Sequence, residues 1–371
     1  MSMTISVIKE QKEGEARVAA TPENVKKMVN SGNTVLVEKD AGVGSGFSNK
    51  EYEEAGAKIV SHAEAWNQGD LMIKAKEPVE EEYKYFKEGK VVWGFQHLAS
   101  APQTVKAMMD AKMTAIGAET VVHNGKLELL APISRMTGQR SVIMGAYYLE
   151  AQHQGEGILV TGLDEGDIHI PAGRVVIFGG GNAAEGAAQV ALGLGASVVI
   201  IELNDDRIKE LQDMYAGKDV RVVKSNEENL AKEIKEADIF VSTILIPGAR
   251  PPKLVKEYMV KSMKKGSVIV DMSIDQGGSV ETMHATTIDD PVYVKYGVVH
   301  YGVPNQPGAV PRTSTMALAQ GNLPYLLEIA DKGIDAAIRE DESLRSGVNV
   351  YKGDVTNKGL ADSLNLPYTE L

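Results

Sequence analysis

Gly179, Gly181 and Ala184, followed by Glu202, have the residue types and spacing to hold a dinucleotide. A pyrophosphate must approach the N–H groups at a helix N-terminus, where the helix dipole favours negative charge. A Cβ at Gly179 or Gly181 would obstruct the tight turn or that approach. The third position needs only a small residue for helix–strand packing, and Ala184 supplies it. Glu202, about 20 residues on, can accept hydrogen bonds from both adenine-ribose hydroxyls and repel a 2′-phosphate, which favours NAD over NADP. A glycine triplet alone also suits a turn or a linker. Here a strand pattern precedes it and a helix pattern follows it.

Other residues could do chemistry but do not declare it singly. Arg17 and Lys76 sit in charge-dense loops, where solvated side chains are the common outcome. His97 ends an apolar run, as a satisfied core histidine does, and Asp275 after a strand could cap a turn. His62, His123, His153, His169, His284 and His300 fall in no metal-ligand spacing, so no metal is expected.

The elements that must position these residues alternate between strand and helix. Val175 to Phe178 is a continuous apolar run, as in a buried parallel strand. Ala187, Ala188, Val190, Ala191 and Leu194 recur at helical steps, Gly195 stops the helix, and Ser197 to Ile201 forms the next strand. Upstream, Ile5–Ile8, Val35–Val37, Lys58–Val60, Leu71–Ile73, Val91–Phe95 and Thr114–Gly117 read as strands. Thr21-Pro22-Glu23 opens a helix between the first two. Ala131–Ser134 reads as a boundary followed by a helix through Tyr148, and Gly155–Ala172 as loop or hairpin. Ser267–Met272 is the last clear strand and points Asp275 out of its C-terminal end, where open α/β sheets bind ligands. A helix from Met316 to Lys332 is expected to be interrupted near Pro324, and the last thirty residues look peripheral. The fold class is α/β with parallel sheets in two lobes.

With 371 residues, two domains are the natural expectation. A net charge of −12 argues against nucleic acid as a partner and gives no membrane-surface signal. The absence of cysteine excludes disulfides, thiolate nucleophiles and cysteine–zinc sites. Without a basic, apolar leader pattern at Met1–Ile5, the chain is expected to be cytoplasmic.

Ordered motifs then become recognisable. They are E-x-R-V-A-x-T-P (Glu15–Pro22), V-E-K-x-A-G-x-G-S-G-F (Val37–Phe47), K-x-K-E-P (Lys74–Pro78) and H-L-A (His97–Ala99). After the glycine unit come P-G-A-R-x-P-K-L-V (Pro247–Val255), D-Q-G-G (Asp275–Gly278) and A-V-P-R-T-S-T (Ala309–Thr315). In these the chain resembles the alanine dehydrogenase/pyridine nucleotide transhydrogenase family over nearly its whole length. The resemblance implies two Rossmann-like lobes with a cleft between them and a substrate domain discontinuous in sequence. Residues 1–130 and 308–371 would form the substrate domain and 131–307 the NAD-binding domain. It further implies a homo-oligomer, usually a hexamer.

The implied reaction is oxidative deamination of L-alanine to pyruvate and ammonia, and its reverse, with NAD as hydride carrier. In that resemblance Arg17 grips the substrate carboxylate, since a guanidinium can form two parallel bonds. Lys76 is the second cation, for carboxylate and carbonyl oxygen, with Lys74 as the runner-up for that role and otherwise expected to be structural. His97 transfers protons near neutral pH. Asp275 is the acid/base for water and ammonia. Ser134, Gly179, Gly181, Ala184, Glu202, Arg207, Ser225, Ile244, Leu245 and Asn305 are the implied cofactor residues, although Ile244 and Leu245 would also serve as plain strand core. Departures from the family pattern include Glu202 for Asp, Gln96 for an apolar residue, Arg135-Met136-Thr137, Gln152–Asp167 and Pro304-Asn305-Gln306. Gln96 is expected to place an amide beside the reacting centre and to alter amino-acid affinity or identity. A family dehydrogenase acting on another amino acid or an opine, and an NAD-binding transhydrogenase subunit, are the alternative readings.

Overall fold

The computed structural model describes residues 2–244 and 251–371, and the chain divides into two compact units. One comprises Met1–Ile133 and Pro307–Leu371, the other Ser134–Gln306.

In the first unit, β1 (Thr4–Val7), β2 (Thr34–Glu38), β3 (Lys58–Val60), β4 (Leu71–Lys76), β5 (Val91–Phe95) and β6 (Thr114–Gly117) form a parallel sheet ordered β6-β5-β4-β1-β2-β3. Leu71, Met72 and Ile73 are all fully buried, as expected of a strand covered on both faces. Thr21 caps the helix Pro22–Asn30 by accepting from the Asn24 N–H. The C-terminal residues are not peripheral. Val348–Tyr351 pairs antiparallel with β6, and Asp354–Val355 pairs antiparallel outside it. Val348, Val350, Val355 and Leu360 are core residues. The turn joining those strands uses Lys352 and Gly353, both with positive φ (51° and 94°), where Asn-Gly or Asp-Gly is the usual signal of a hairpin.

In the second unit, β7 (Leu163–Glu165) and β8 (Ile168–Ile170) make a separate hairpin. The main sheet contains β9 (Arg174–Phe178), β10 (Ser197–Glu202), β11 (Val220–Lys224), β12 (Ile239–Ser242), β13 (Val268–Asp271), β14 (Val292–Lys295) and β15 (Val298–Tyr301). Its order is β11-β10-β9-β12-β13-β15-β14, with only β14 antiparallel. The chain steps outward from β9 to β10 and β11, then returns to the other side of β9 with β12. That reversal is a topological switch point, where ligands bind beyond the strand C-termini. β13 is therefore not the last strand. The run that forms β15 contains the buried His300, bonded to the Thr282 hydroxyl (2.7 Å) and the Val298 carbonyl (2.9 Å), and a polar residue there weakens the apolar signal.

The two units divide between Ile133 and Ser134, within the expected boundary, but that stretch is helical: Leu130–Tyr148 takes it in because Pro132 falls in the first turn, where a missing N–H is harmless. The helix Pro311–Lys332 runs unbroken through Pro324, with Leu326, Ile329 and Ala330 buried on its far side. Packing of that face outweighs the single lost backbone bond.

Candidate active site

The glycine turn follows β9. Gly179 has φ +107°, a backbone conformation that L side chains rarely adopt, and a Cβ there would meet Thr243 Oγ1 at 2.6 Å. A Cβ at Gly181 would meet nothing within 4 Å, which leaves the helix N-terminus open to a phosphate. The middle residue, Gly180, has its own constraint, since a Cβ there would lie 2.6 Å from Glu202 Oε2. Glu202 Oε1 accepts the Leu203 and Asn204 N–H groups, both at 2.8 Å, so the longer side chain curls back over its own turn. Ala184 is fully buried. The helix Asn182–Gly193 packs closely on Leu130–Tyr148, because a Cβ at Gly138 would strike the Ala183 carbonyl and one at Gly186 the Arg135 carbonyl.

Arg207, Ser225 and Ile244, three of the implied cofactor residues, lie close to this turn or to Glu202. Arg207 donates from Nε to the Gly180 carbonyl at 2.7 Å, and with Arg135 it grips Glu185 in the first turn of the helix. Gly180, Gly181, Glu202, Asn204 and Arg207 line one surface pocket. The Ser225 N–H donates to the Glu202 carbonyl at 2.7 Å, and Ile244 Cδ1 stands beside Gly179. Ser134 is half-buried in the early turns of its helix. Leu245, like Pro247–Arg250 of the family motif, lies outside the described residues.

Asp275 is exposed on a short turn after β13, and its two oxygens accept the Asn305 N–H at 2.9 and 3.2 Å. Asn305 has φ +48°. Sequence reasoning missed what holds this turn. Asp271, fully buried, accepts from the Ser273 N–H (3.0 Å), the Ser273 hydroxyl (2.6 Å), the Ser279 N–H (2.8 Å) and the Val280 N–H (3.2 Å). An acid at a strand end that precedes D-Q-G-G was the available signal.

The first unit carries Arg17, Lys76 and His97. Arg17 is buried, and its Nε and Nη2 donate to the two oxygens of Glu15 at 2.7 and 2.5 Å. Three distant motifs interlock to hold that loop. The Val18 N–H donates to Thr315 Oγ1 (3.0 Å), while Ser45 Oγ donates to the Ala16 carbonyl (2.9 Å) and lies 2.8 Å from Thr315 Oγ1. Lys76 is half-buried at the end of β4, just past an irregularity in its pairing with β5. Lys74 is wholly buried between Glu82 (3.0 Å) and Glu10 (3.6 Å), which makes it structural.

His97 follows β5 in the left-handed region, φ +43° and ψ +41°. Desolvation by the surrounding atoms, then the positive charges of Lys76, Lys12 and Arg17, push its imidazole below the ordinary histidine range. The residue keeps solvent access, which tempers the desolvation, but the cations act in the same direction. A neutral imidazole beside lysine and arginine can accept a proton from a substrate whose carboxylate those cations attract. Gln96 does not sit as expected. Its side chain is buried, and Nε2 donates back along its own strand to the Val92 carbonyl at 3.2 Å. Alternation along the strand turns it inward.

A family model described as Alanine dehydrogenase/PNT, N-terminal domain, matches residues 6–137, and one described as Alanine dehydrogenase/PNT, C-terminal domain, matches residues 141–358. The chain belongs to the alanine dehydrogenase/PNT family. Within that family, Alanine dehydrogenase 1 of Staphylococcus aureus strain MSSA476 is 64% identical over 369 residues, spanning 100% of this chain and 99% of that protein. A solved L-alanine dehydrogenase aligns with TM-score 0.92 and 39% identity, over 98% of this chain and 99% of that one. A transhydrogenase from Sinorhizobium meliloti aligns with TM-score 0.83 and 25% identity, over 95% and 100%.

Proposed function

We infer that this chain is an NAD-dependent amino-acid dehydrogenase that oxidatively deaminates L-alanine to pyruvate and ammonia, and catalyses the reverse reductive amination. The observation that carries this reading is the 64% identity to an alanine dehydrogenase along the whole chain. The unit built from Met1–Ile133 and Pro307–Leu371 binds the amino acid, and Ser134–Gln306 binds NAD.

The residues divide the work as follows. Arg17, held flat by Glu15, and Lys76 draw in the substrate carboxylate. His97, kept neutral by desolvation and by its cationic neighbours, takes a proton as the amine becomes an imine and the carbonyl then forms. Asp275 moves protons for the attacking water and departing ammonia. Gly179 and Gly181 fit a pyrophosphate and Glu202 an adenine ribose, with Ala184, Arg207, Ser225, Ile244, Ser134 and Asn305 completing the cofactor site. When bound, NAD supplies the acceptor for the hydride that leaves the α-carbon.

Substrate-dependent NAD reduction across the standard amino acids tests the reading. Alanine should give the highest kcat/KM. A clear preference for a larger amino acid, or for a 2-oxo acid condensed with an amine, would favour the opine-type alternative instead.

The active form is a homo-oligomer, a hexamer by resemblance to the family. The β7–β8 hairpin supports self-association, since Leu163, Ile168 and Ile170 are all exposed on it. Light scattering at working concentration tests this. The acidic, cysteine-free composition supports action in the cytoplasm on small-molecule substrates. Among the described residues, no helix is long and apolar enough to cross a membrane, and no cluster of His, Cys, Asp and Glu could hold a metal.

A further inference from the structure

Glu119 follows β6 in the short turn Ala118–Thr120, and nothing in the chemistry above uses it. Its two oxygens accept successive backbone N–H groups of the neighbouring strand end. Oε2 accepts from Gln96 at 3.1 Å and Oε1 from His97 at 2.7 Å. Gly117 makes room for this, because a Cβ there would lie 3.1 Å from Glu119 Oε2 and 3.2 Å from its Cδ.

His97 has the left-handed backbone that a branchless or short polar residue normally takes. Such a conformation persists in a histidine only where the surroundings over-determine it. An ionised carboxylate is suited to this, being acceptor-only at both oxygens and so matched to two adjacent donors. The peptide groups on either side of the turn are thereby fixed, and the direction of the imidazole with them. Lys76 also acts electrostatically on Glu119, which places the carboxylate at the same charged cluster as the ring it steers.

We propose that Glu119 is a positioning residue for His97, holding the imidazole at the angle from which it exchanges protons with substrate. The proposal rests on the reading of His97 as the proton-transfer group. Burial is what threatens the carboxylate, raising its pKa, while the N–H groups of Glu119, His97 and Gln96 and the charge of Lys76 oppose that rise.

Glu119→Gln tests it in the full-length enzyme with alanine and NAD. The amide oxygen can accept one N–H, but the amide nitrogen faces the other as a second donor. The expected result is a fall in kcat of between about 10- and 100-fold, with KM for alanine and Kd for NAD little changed. The double variant with His97→Ala should be no slower than His97→Ala alone, because both changes remove one function. A kcat within about twofold of wild type, or losses that multiply in the double variant, would overturn the proposal. If His97→Ala keeps full activity, the reading of His97 itself fails, whatever Glu119→Gln does. Should Glu119→Gln not fold, Glu119→Asp keeps the charge, shortens the reach and carries the same expectation. Failure of both to fold would make the residue purely structural and end the proposal.

Discussion

The hydroxyls of Ser45 and Thr315 lie 2.8 Å apart, although 270 positions separate them in the chain. Through them the loop that carries Arg17 is tied to the start of the helix Pro311–Lys332, which also receives the Val18 N–H on Thr315. A residue from A-V-P-R-T-S-T thus sets the geometry of one from E-x-R-V-A-x-T-P.

Thr315→Val keeps the shape of the side chain and removes the acceptor. The buried Val18 N–H then loses its partner, at a cost of about 1–3 kcal/mol. The loop around Arg17 should loosen, raising KM for alanine by about tenfold and leaving Kd for NAD unchanged. Steady-state kinetics with alanine varied, and nucleotide titration by fluorescence, separate the two.

Lys12 pairs with Glu77 at 2.5 Å and is one of the cations that lower the His97 pKa. Lys12→Met removes a charge that disfavours the imidazolium, so the His97 pKa must rise. The acidic limb of kcat/KM for alanine oxidation should therefore move to higher pH, since the neutral ring is the proposed working form. Lys12 is half exposed, so the displacement should be modest and should shrink in high salt. A pH–rate profile at two ionic strengths measures it.

Legibility in the sequence followed the strength of local signals. The strand–glycine–helix unit could be read because a continuous apolar run, positive-φ glycine and small-residue helix coincide within thirty residues. Gly180 could not, since its constraint comes from Glu202 one strand away. The family motifs singled out Arg17, Lys76 and His97, but motif matching says nothing of what supports them. Glu119, Asp271 and Thr315 act by accepting backbone N–H groups, a role that any acid or hydroxyl in a loop could fill and that only contacts reveal. The closing strands escaped because they are short and joined through Lys352-Gly353.

Burial pushes the Glu10 carboxyl up to about 7, against the opposing attraction of Lys74. Its folded pKa lies above the unfolded value of 4.5, so the stability it contributes is complete at low pH and is lost as pH rises through about 7. That linkage amounts to about 3 kcal/mol. Glu10→Gln abolishes it while keeping an acceptor for the Ala75 N–H, which Glu10 now takes at 2.6 Å. Urea unfolding should show the variant gaining on wild type between about pH 5 and pH 8. An unchanged difference across that range would show that Glu10 does not titrate there.

Asp271→Asn replaces one acceptor oxygen by a donor that faces the Ser279 and Val280 N–H groups or the Ser273 N–H and hydroxyl. Each buried group left unpaired costs about 1–3 kcal/mol. Because the turn bearing Asp275 hangs from this carboxylate, kcat should drop by between about 10- and 100-fold with KM for alanine nearly constant. Thermal melts with and without NAD, set beside kinetics, distinguish a displaced turn from general unfolding.

The interleaving of the two units has a consequence for synthesis. Every strand of the second unit's sheet has been synthesised by Tyr301, so that unit can fold once it clears the ribosome, while the C-terminal segment is still being made. The sheet bearing Lys76 and His97 must wait for Val348–Tyr351 to cover the edge of β6, and the Arg17 loop must wait for Thr315. The earliest-made part of the polypeptide is the last to mature, and until then its β6 edge stays open to a chaperone or to a stray neighbouring chain.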